Sequence, residues 1–301
     1  MKNNFSNRTS SRFPYGFRRK AGRKNKKSTR IAPELKGAAR AILRILVQSP
    51  TPKIMHLTEE GPLTALHHEV LSYEIDFRKK LRLAALLNLF QELANQNAER
   101  LGFGFEKLMA ERCFWALSRL RVEVEALPHW TDKVVIKTWP RGVEGLFARR
   151  DWLLETADGQ VMARCTSAWL LVDLDRRRPL RIAQRLPGFE FANDHRAIDH
   201  ELPRLEPSAQ GEQVWQHTVR YADLDQNRHV NNVRYVDWMM NAFGIEEHEQ
   251  HEVKSFEINI HAEAQEGDEV QVTREKQEEG WLLAIHKAGG QLSAIAALKW
   301  N

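Results

Sequence analysis

The chain has 301 residues, 42% of them hydrophobic and 28% charged, which is enough apolar material for two domains of ordinary size. No apolar run approaches the ~18 residues a membrane-spanning helix needs. The two cysteines, Cys113 and Cys165, exclude a disulfide framework and a zinc-finger set, so a reducing compartment is expected.

Charge is divided unevenly along the chain. Residues 1–54 hold 15 Lys and Arg and one acidic residue, Glu34, whereas the remainder holds 30 basic against 39 acidic residues. Basic character therefore belongs to the leading segment, and nucleic-acid binding is not expected of the folded body. Apart from a short amphipathic stretch, Ala38 to Val47, residues 1–54 lack hydrophobic periodicity and repel themselves, and they are expected to be disordered. Three roles compete: a tail for an acidic partner, an Arg-, Lys- and Ser-rich targeting segment, or no folded role, with Met55 as the working start. The change of charge and periodicity near Met55 favours the last.

A first unit is expected over 63–190. Leu83, Leu86, Leu87, Phe90, Leu93, Ala94 and Leu101 form a helical stripe that ends at Gly102. Leu120, Val122, Val124 and Ala126 alternate as a strand, and Asp158-Gly159 marks a hairpin. A second unit is expected over 210–301, because the pattern recurs. A slide of 148 residues sets Tyr73 on Tyr221, Leu87 on Tyr235, Phe90 on Trp238 and Ala94 on Ala242, read as buried-type positions. A slide of 136 sets Leu120, Val122 and Val124 on Phe256, Ile258 and Ile260. A slide of 131 sets Gly159-Gln160 on Gly290-Gln291. Each copy reads as a strand, a long helix and several strands of period two. The expected class is α+β: an antiparallel sheet wrapped around a long helix, present twice and paired as a pseudo-dimer.

The two copies differ most at Tyr221 to Tyr235. Asp225, Asn227 and His229 alternate just before a helix with cap candidates Asn231 and Asn232; the first copy has Phe77, Lys79 and Leu81 there. Glu263 ends a strand where the first copy has Leu127. In an extended segment, residues two apart share a side, so Asp225, Asn227 and His229 are expected to converge. A carboxylate beside an imidazole orients it and raises its basicity. An Asn amide and helix-start N–H groups suit a developing oxyanion. Those parts fit attack of water on an acyl carbonyl. They also fit a capped turn with His229 in the core.

The stretch Asp225 to Tyr235 closely resembles the active-site segment of the acyl-ACP thioesterases of plants and bacteria. Ser72–Ile75, Leu89–Ala94, Gly145–Trp152, Thr166–Trp169 and Asp173–Pro179 are similar to that family as well. The likeness runs from about residue 66 to 300. It implies two tandem hotdog domains, with catalysis in the second. It implies hydrolysis of fatty acyl-acyl carrier protein, with no metal or organic cofactor. Carried over residue by residue, it assigns Asp225, Asn227, His229 and Glu263 to catalysis. Asn231, Asn232, Arg149 and Arg150 are taken as substrate-binding.

Some relatives have a cysteine after the acidic residue; here it is Ala264, which argues against a cysteine nucleophile. The expected partner is acyl carrier protein with its 4'-phosphopantetheine-linked chain. Arg149, Arg150, Arg176, Arg177, Arg178 and Arg181 are candidates for its docking surface, unless they are simply solvated. A monomer or homodimer is expected, cytoplasmic, or organellar if the leading segment targets it. An acyl-CoA thioesterase, a hotdog dehydratase and a non-catalytic acyl-binding protein are the rival readings.

Overall fold

The computed structural model describes residues 55–191, 194–208 and 210–301. The basic leading segment, including the stretch at 38–47, lies outside the described residues. After a hairpin of β1 (Met55–Glu60) and β2 (Leu63–Glu69), the first half holds α1 (Leu83–Arg100), α2 (Phe105–Ala110), β3 (Cys113–Val124), β4 (Lys133–Glu144), β5 (Phe147–Thr156), β6 (Val161–Asp173) and α3 (Ile182–Arg185). The second half holds β7 (Glu212–Thr218), a 3-10 turn at Tyr221–Asp223, α4 (Asn232–Met240), α5 (Ile245–Gln250), β8 (Val253–Ile260), β9 (Glu269–Gln277), β10 (Gly280–Lys287) and β11 (Leu292–Trp300).

Helix α1 forms where the apolar stripe predicts. It stops where Gly102 takes the left-handed conformation (φ 81°), which glycine adopts without a side-chain clash. Leu83, Leu86, Leu87, Phe90, Leu93 and Ala94 are all buried, since α4 covers one flank and the sheet the others. Trp152 of β5 stacks on Phe90 at 5.8 Å and donates its indole N–H to the Phe90 carbonyl at 2.9 Å. That bond gives a large apolar residue a satisfied polar tip inside the core. Helix α4 is half as long as α1, 9 residues against 18. Asn231 caps it, accepting from the Val233 N–H at 3.0 Å. Asn231→Ala is expected to lower stability by about 1 kcal/mol, read as a lower urea midpoint with an unchanged slope.

Among the described residues all eleven strands join one antiparallel sheet in the order β1-β2-β4-β5-β6-β3-β8-β11-β10-β9-β7. From β3 the order runs β6-β5-β4-β2, and from β8 it runs β11-β10-β9-β7, so the halves repeat about the central β3–β8 pair. The registers agree with the slides. Leu120 pairs with Ser167, and Phe256 pairs with Leu298; a slide of 136 joins Leu120 to Phe256, and a slide of 131 joins Ser167 to Leu298. A further echo lies before each helix: His68 meets Glu74 at 2.8 Å, and His217 meets Asp223 at 2.7 Å. One equivalence needs correction. Tyr73 and Tyr221 are 71% and 89% exposed; they sit on matching turns and contribute nothing to the core.

The connection between the halves is tied to the sheet by buried polar groups. Asp151 accepts from the Ala197 N–H and the Thr166 hydroxyl, Trp139 donates to the His195 carbonyl, and Asn259 accepts from the Leu205 N–H. Burial pushes the Asp151 carboxyl above its ordinary range, and those donors supply its hydrogen bonds. Among the described residues no helix is long and apolar enough to cross a membrane.

Candidate active site

Strands β3 and β8 pair only over Arg119–Glu123 and Ser255–Asn259. Beyond that pairing, β3 bulges against β6 at Leu117/Arg119 and β8 ends at Ile260. The sequence-predicted residues gather here.

His229 follows a tight turn. The Asp225 N–H donates to the His229 carbonyl at 2.8 Å, and the Asp225 carboxylate accepts from the N–H of Asn227 and of His229. Arg228 takes a left-handed φ of 61°. The segment is therefore not extended, and the expected convergence by period two is corrected. Asp225 is a turn-former whose carboxylate is engaged by backbone donors. Among the described residues its only side-chain partner is the Asn227 amide, at 3.4 Å.

The carboxylate that meets the imidazole is Glu263. Its Oε2 lies 3.3 Å from Nδ1 of His229. Glu263 stands three residues beyond β8, slightly later than the strand end expected. Its segment is held rigidly: Ser293 binds the backbone of His261 and Ala262, the Ala264 N–H donates to the Tyr235 hydroxyl at 2.8 Å, and Lys287 donates to the Glu263 carbonyl. His229 is 9% exposed and Glu263 half-buried, so a buried ring faces an accessible carboxylate.

A residue absent from the sequence-based catalytic set completes the cluster. Arg177, from the loop after β6, places a guanidinium nitrogen 3.1 Å from Nε2 of His229 and 3.9 Å from Oε2 of Glu263. Phe114 lies under both, 5.3 Å from the guanidinium and 5.7 Å from the imidazole.

Three cavities meet here. One, of about 270 Å³, is lined by Phe114, Arg177, His261 and Glu263. A second, of about 690 Å³, is lined by Gln91, Asp225, Asn227 and Asn231. The third, of about 20 Å³, lies among Leu87, Phe90, Leu117 and Val236. Asn232 lines all three, and its amide contacts Gln91 of α1 at 3.4 Å. Asn231 lines only the second of these and is engaged as the helix cap.

The arginines divide. Arg176, Arg177, Arg178 and Arg181 are exposed. Arg149 is largely covered and paired with Glu144 at 2.9 Å. Arg150 is corrected as a docking residue. It is buried, donates to Asn97 at 2.7 Å and Thr138 at 3.2 Å, and burial lowers its pKa to about 10. It borders an apolar cavity of about 60 Å³ with Phe103, Trp115 and Phe189. Cys113 and Cys165 are buried, which pushes both thiols up; neither is poised as a thiolate. Among the described residues no group of three or more His, Cys, Asp or Glu has metal-binding geometry.

Comparison with known proteins agrees along almost all of this body. Residues 63–187 match the acyl-ACP thioesterase N-terminal domain, and residues 207–301 match the acyl-ACP thioesterase C-terminal domain. The chain is 32% identical over 217 residues to oleoyl-acyl carrier protein thioesterase 2, chloroplastic, of Arabidopsis thaliana, covering 66% of this chain and 59% of that protein. It spans about three fifths of the length of the curated relatives it matches. The fold superposes on an acyl-ACP thioesterase from Bacteroides thetaiotaomicron with a TM-score of 0.74 and 25% identity, over 81% of this chain and 100% of that one. A 12:0-ACP thioesterase from Umbellularia californica shares the fold at a TM-score of 0.72 and 24% identity, over 81% and 99% of the two chains. With two hotdog units in tandem and family matches over both halves, the chain belongs to the acyl-ACP thioesterase family.

Proposed function

We propose that the chain hydrolyses the thioester of a fatty acyl-acyl carrier protein, releasing the fatty acid and the carrier's free thiol in fatty acid biosynthesis. The observation that carries this reading is the 3.3 Å approach of His229 to Glu263, beyond the β3–β8 pairing. The first half has Leu81 and Leu127 at the matching positions.

The chemistry follows from the geometry. Water sits against Glu263, which takes one of its protons as the oxygen attacks the thioester carbonyl. The Asn227 amide and the N–H of Asn232, which has no intrahelical acceptor at the first position of α4, hold the oxygen as it becomes negative. The tetrahedral centre collapses and the C–S bond breaks. The proton on Glu263 passes to the thiolate, a fair leaving group with an ordinary pKa near 8.5. Acid, thiol and regenerated carboxylate complete the balance. His229 orients Glu263, and Asp225 holds the turn that presents both His229 and Asn227.

The acyl tail enters the apolar space beside Leu87 and Phe90. That space, at about 20 Å³, has room for little more than one water, so the tail has to part side chains of α1 and α4. Arg176 and Arg178 flank Arg177 on the rim, where an acidic carrier can dock.

We place the enzyme in the cytoplasm, or in an organelle if residues 1–54 direct it there. The test is thiol release by the full chain from one acyl group on two carriers, acyl carrier protein and coenzyme A. The protein carrier is expected to give the higher kcat/KM, falling as salt rises. Equal and salt-insensitive values for the two would make this a coenzyme A thioesterase without charge-guided docking.

A further inference from the structure

We infer that Arg177, supplied by the first half of the chain, is a positioning residue that sets the tautomer of His229 in the second half. The inference rests on the hydrolase reading above and deepens it. A guanidinium carries five N–H donors and no acceptor. Its 3.1 Å contact with Nε2 of His229 therefore requires that nitrogen to be the unprotonated one. The ring proton then lies on Nδ1 and points at Oε2 of Glu263, 3.3 Å away. Arg177 thus turns the imidazole into a hydrogen-bond donor toward the carboxylate. It also places a positive charge 3.9 Å from that carboxylate. Glu263 is held in place by the ring and keeps its second oxygen for the water.

The loop carrying Arg177 is built to hold this position. The Asp173 carboxylate accepts from the N–H of Asp175 and of Arg176, and the Arg177 N–H donates to the Asp173 carbonyl at 3.0 Å. Arg112 clamps Asp175 from outside with a paired hydrogen bond. Arg177 itself takes a left-handed φ of 54°, a conformation that a side-chain-bearing residue adopts only at a cost. Strain of that kind persists where the surroundings over-determine it. Phe114 completes the seat, its ring under both the guanidinium and the imidazole. Arg177 is 51% exposed, so the contact is open to the site cavity and is not a buried structural pair. The cluster is complete only when the halves are together, which gives the paired architecture a role in the chemistry.

The experiment compares Arg177→Met and Arg177→Gln with the wild type by nitrogen-15 NMR of histidine-labelled full chain, His229 being assigned with His229→Ala. The wild type is expected to carry the ring proton of the His229 tautomer on Nδ1. Met should shift the population toward the Nε2-protonated form. Gln, whose amide can still donate to Nε2, should restore the Nδ1 form. In thiol release, Met should lower kcat about ten- to a hundredfold with KM little changed, the rate equivalent of one charge-assisted hydrogen bond. An unchanged tautomer in the Met variant overturns the inference, as does a rise in KM alone, which would make Arg177 a carrier-docking residue. The NMR arm reads the contact without any substrate. A wild type that hydrolyses no thioester therefore rejects the hydrolase reading, separately from the Arg177 contact.

Discussion

Glu263→Gln is expected to lower thioester turnover by about 10²–10⁴-fold, the range ascribed to a positioned general base. Glutamine keeps the size of the side chain and an oxygen to accept from Nδ1 of His229, but it cannot take a proton from water. The fold should be untouched. The segment is fixed through main-chain groups, by Ser293, Tyr235 and Lys287, and the side chain is half-exposed. The check is kcat from thiol release at saturating acyl carrier, beside a thermal midpoint. Full turnover in the variant would remove Glu263 from the reaction. A carboxylate that attacked the carbonyl directly would also lose its rate in the variant. Single-turnover hydrolysis in oxygen-18 water reveals a nucleophile route whose anhydride is opened at the glutamyl carbonyl: that route transfers an unlabelled enzyme oxygen to the first fatty acid released, whereas the base route labels it.

Asn227→Ala is expected to lower turnover by about 10²–10³-fold, the usual cost of one oxyanion donor. The amide is exposed and, among the described residues, makes a single long hydrogen bond, at 3.4 Å to Asp225. Its donors are therefore available to a ligand, and its removal strips little from the fold. The turn itself is held by backbone donors to Asp225, which alanine preserves. Urea unfolding should then stay within about 0.5 kcal/mol of the wild type, as for ordinary surface changes. A large stability loss with turnover retained would make Asn227 a brace of the turn and leave the oxyanion to the start of α4.

The fold was legible because burial imposes periods that composition cannot hide. The stripe from Leu83 to Ala94 and the alternation at Leu120–Val124 reappear as buried faces; in β8, Phe256 and Ile258 are buried, but so are Glu257 and Asn259 on the other face. The glycine-bearing hairpins appear at Gly159 and at Gly289-Gly290, all three residues at positive φ. Strand β1 escaped notice because it has no counterpart in the other half; it extends the sheet edge beyond the repeat. Tyr73 and Tyr221 misled as core residues because a matching pair can mark a shared turn as well as a shared interior.

The site was legible in part. His229 and Glu263 do meet, but their pairing came from the likeness to relatives, since 34 residues and the end of a strand separate them. The period-two argument for Asp225, Asn227 and His229 failed because Arg228 adopts a left-handed conformation that local pattern does not announce. Arg177 could not be singled out from Arg176 and Arg178. A turn set by Asp173 decides which of the three points inward, and its target lies 52 residues away in the other half. Arg150 looked like its neighbour Arg149, yet strand alternation turns one toward the interior and the other toward Glu144.

The most direct measurement is the rate at which the wild-type chain and His229→Ala liberate free thiol and free fatty acid from a purified acyl carrier substrate. The account predicts equal amounts of both products from the wild type, and a variant that stays folded while slowing by at least about a hundredfold. Equal rates from the two proteins, or no release from the wild type, would contradict it.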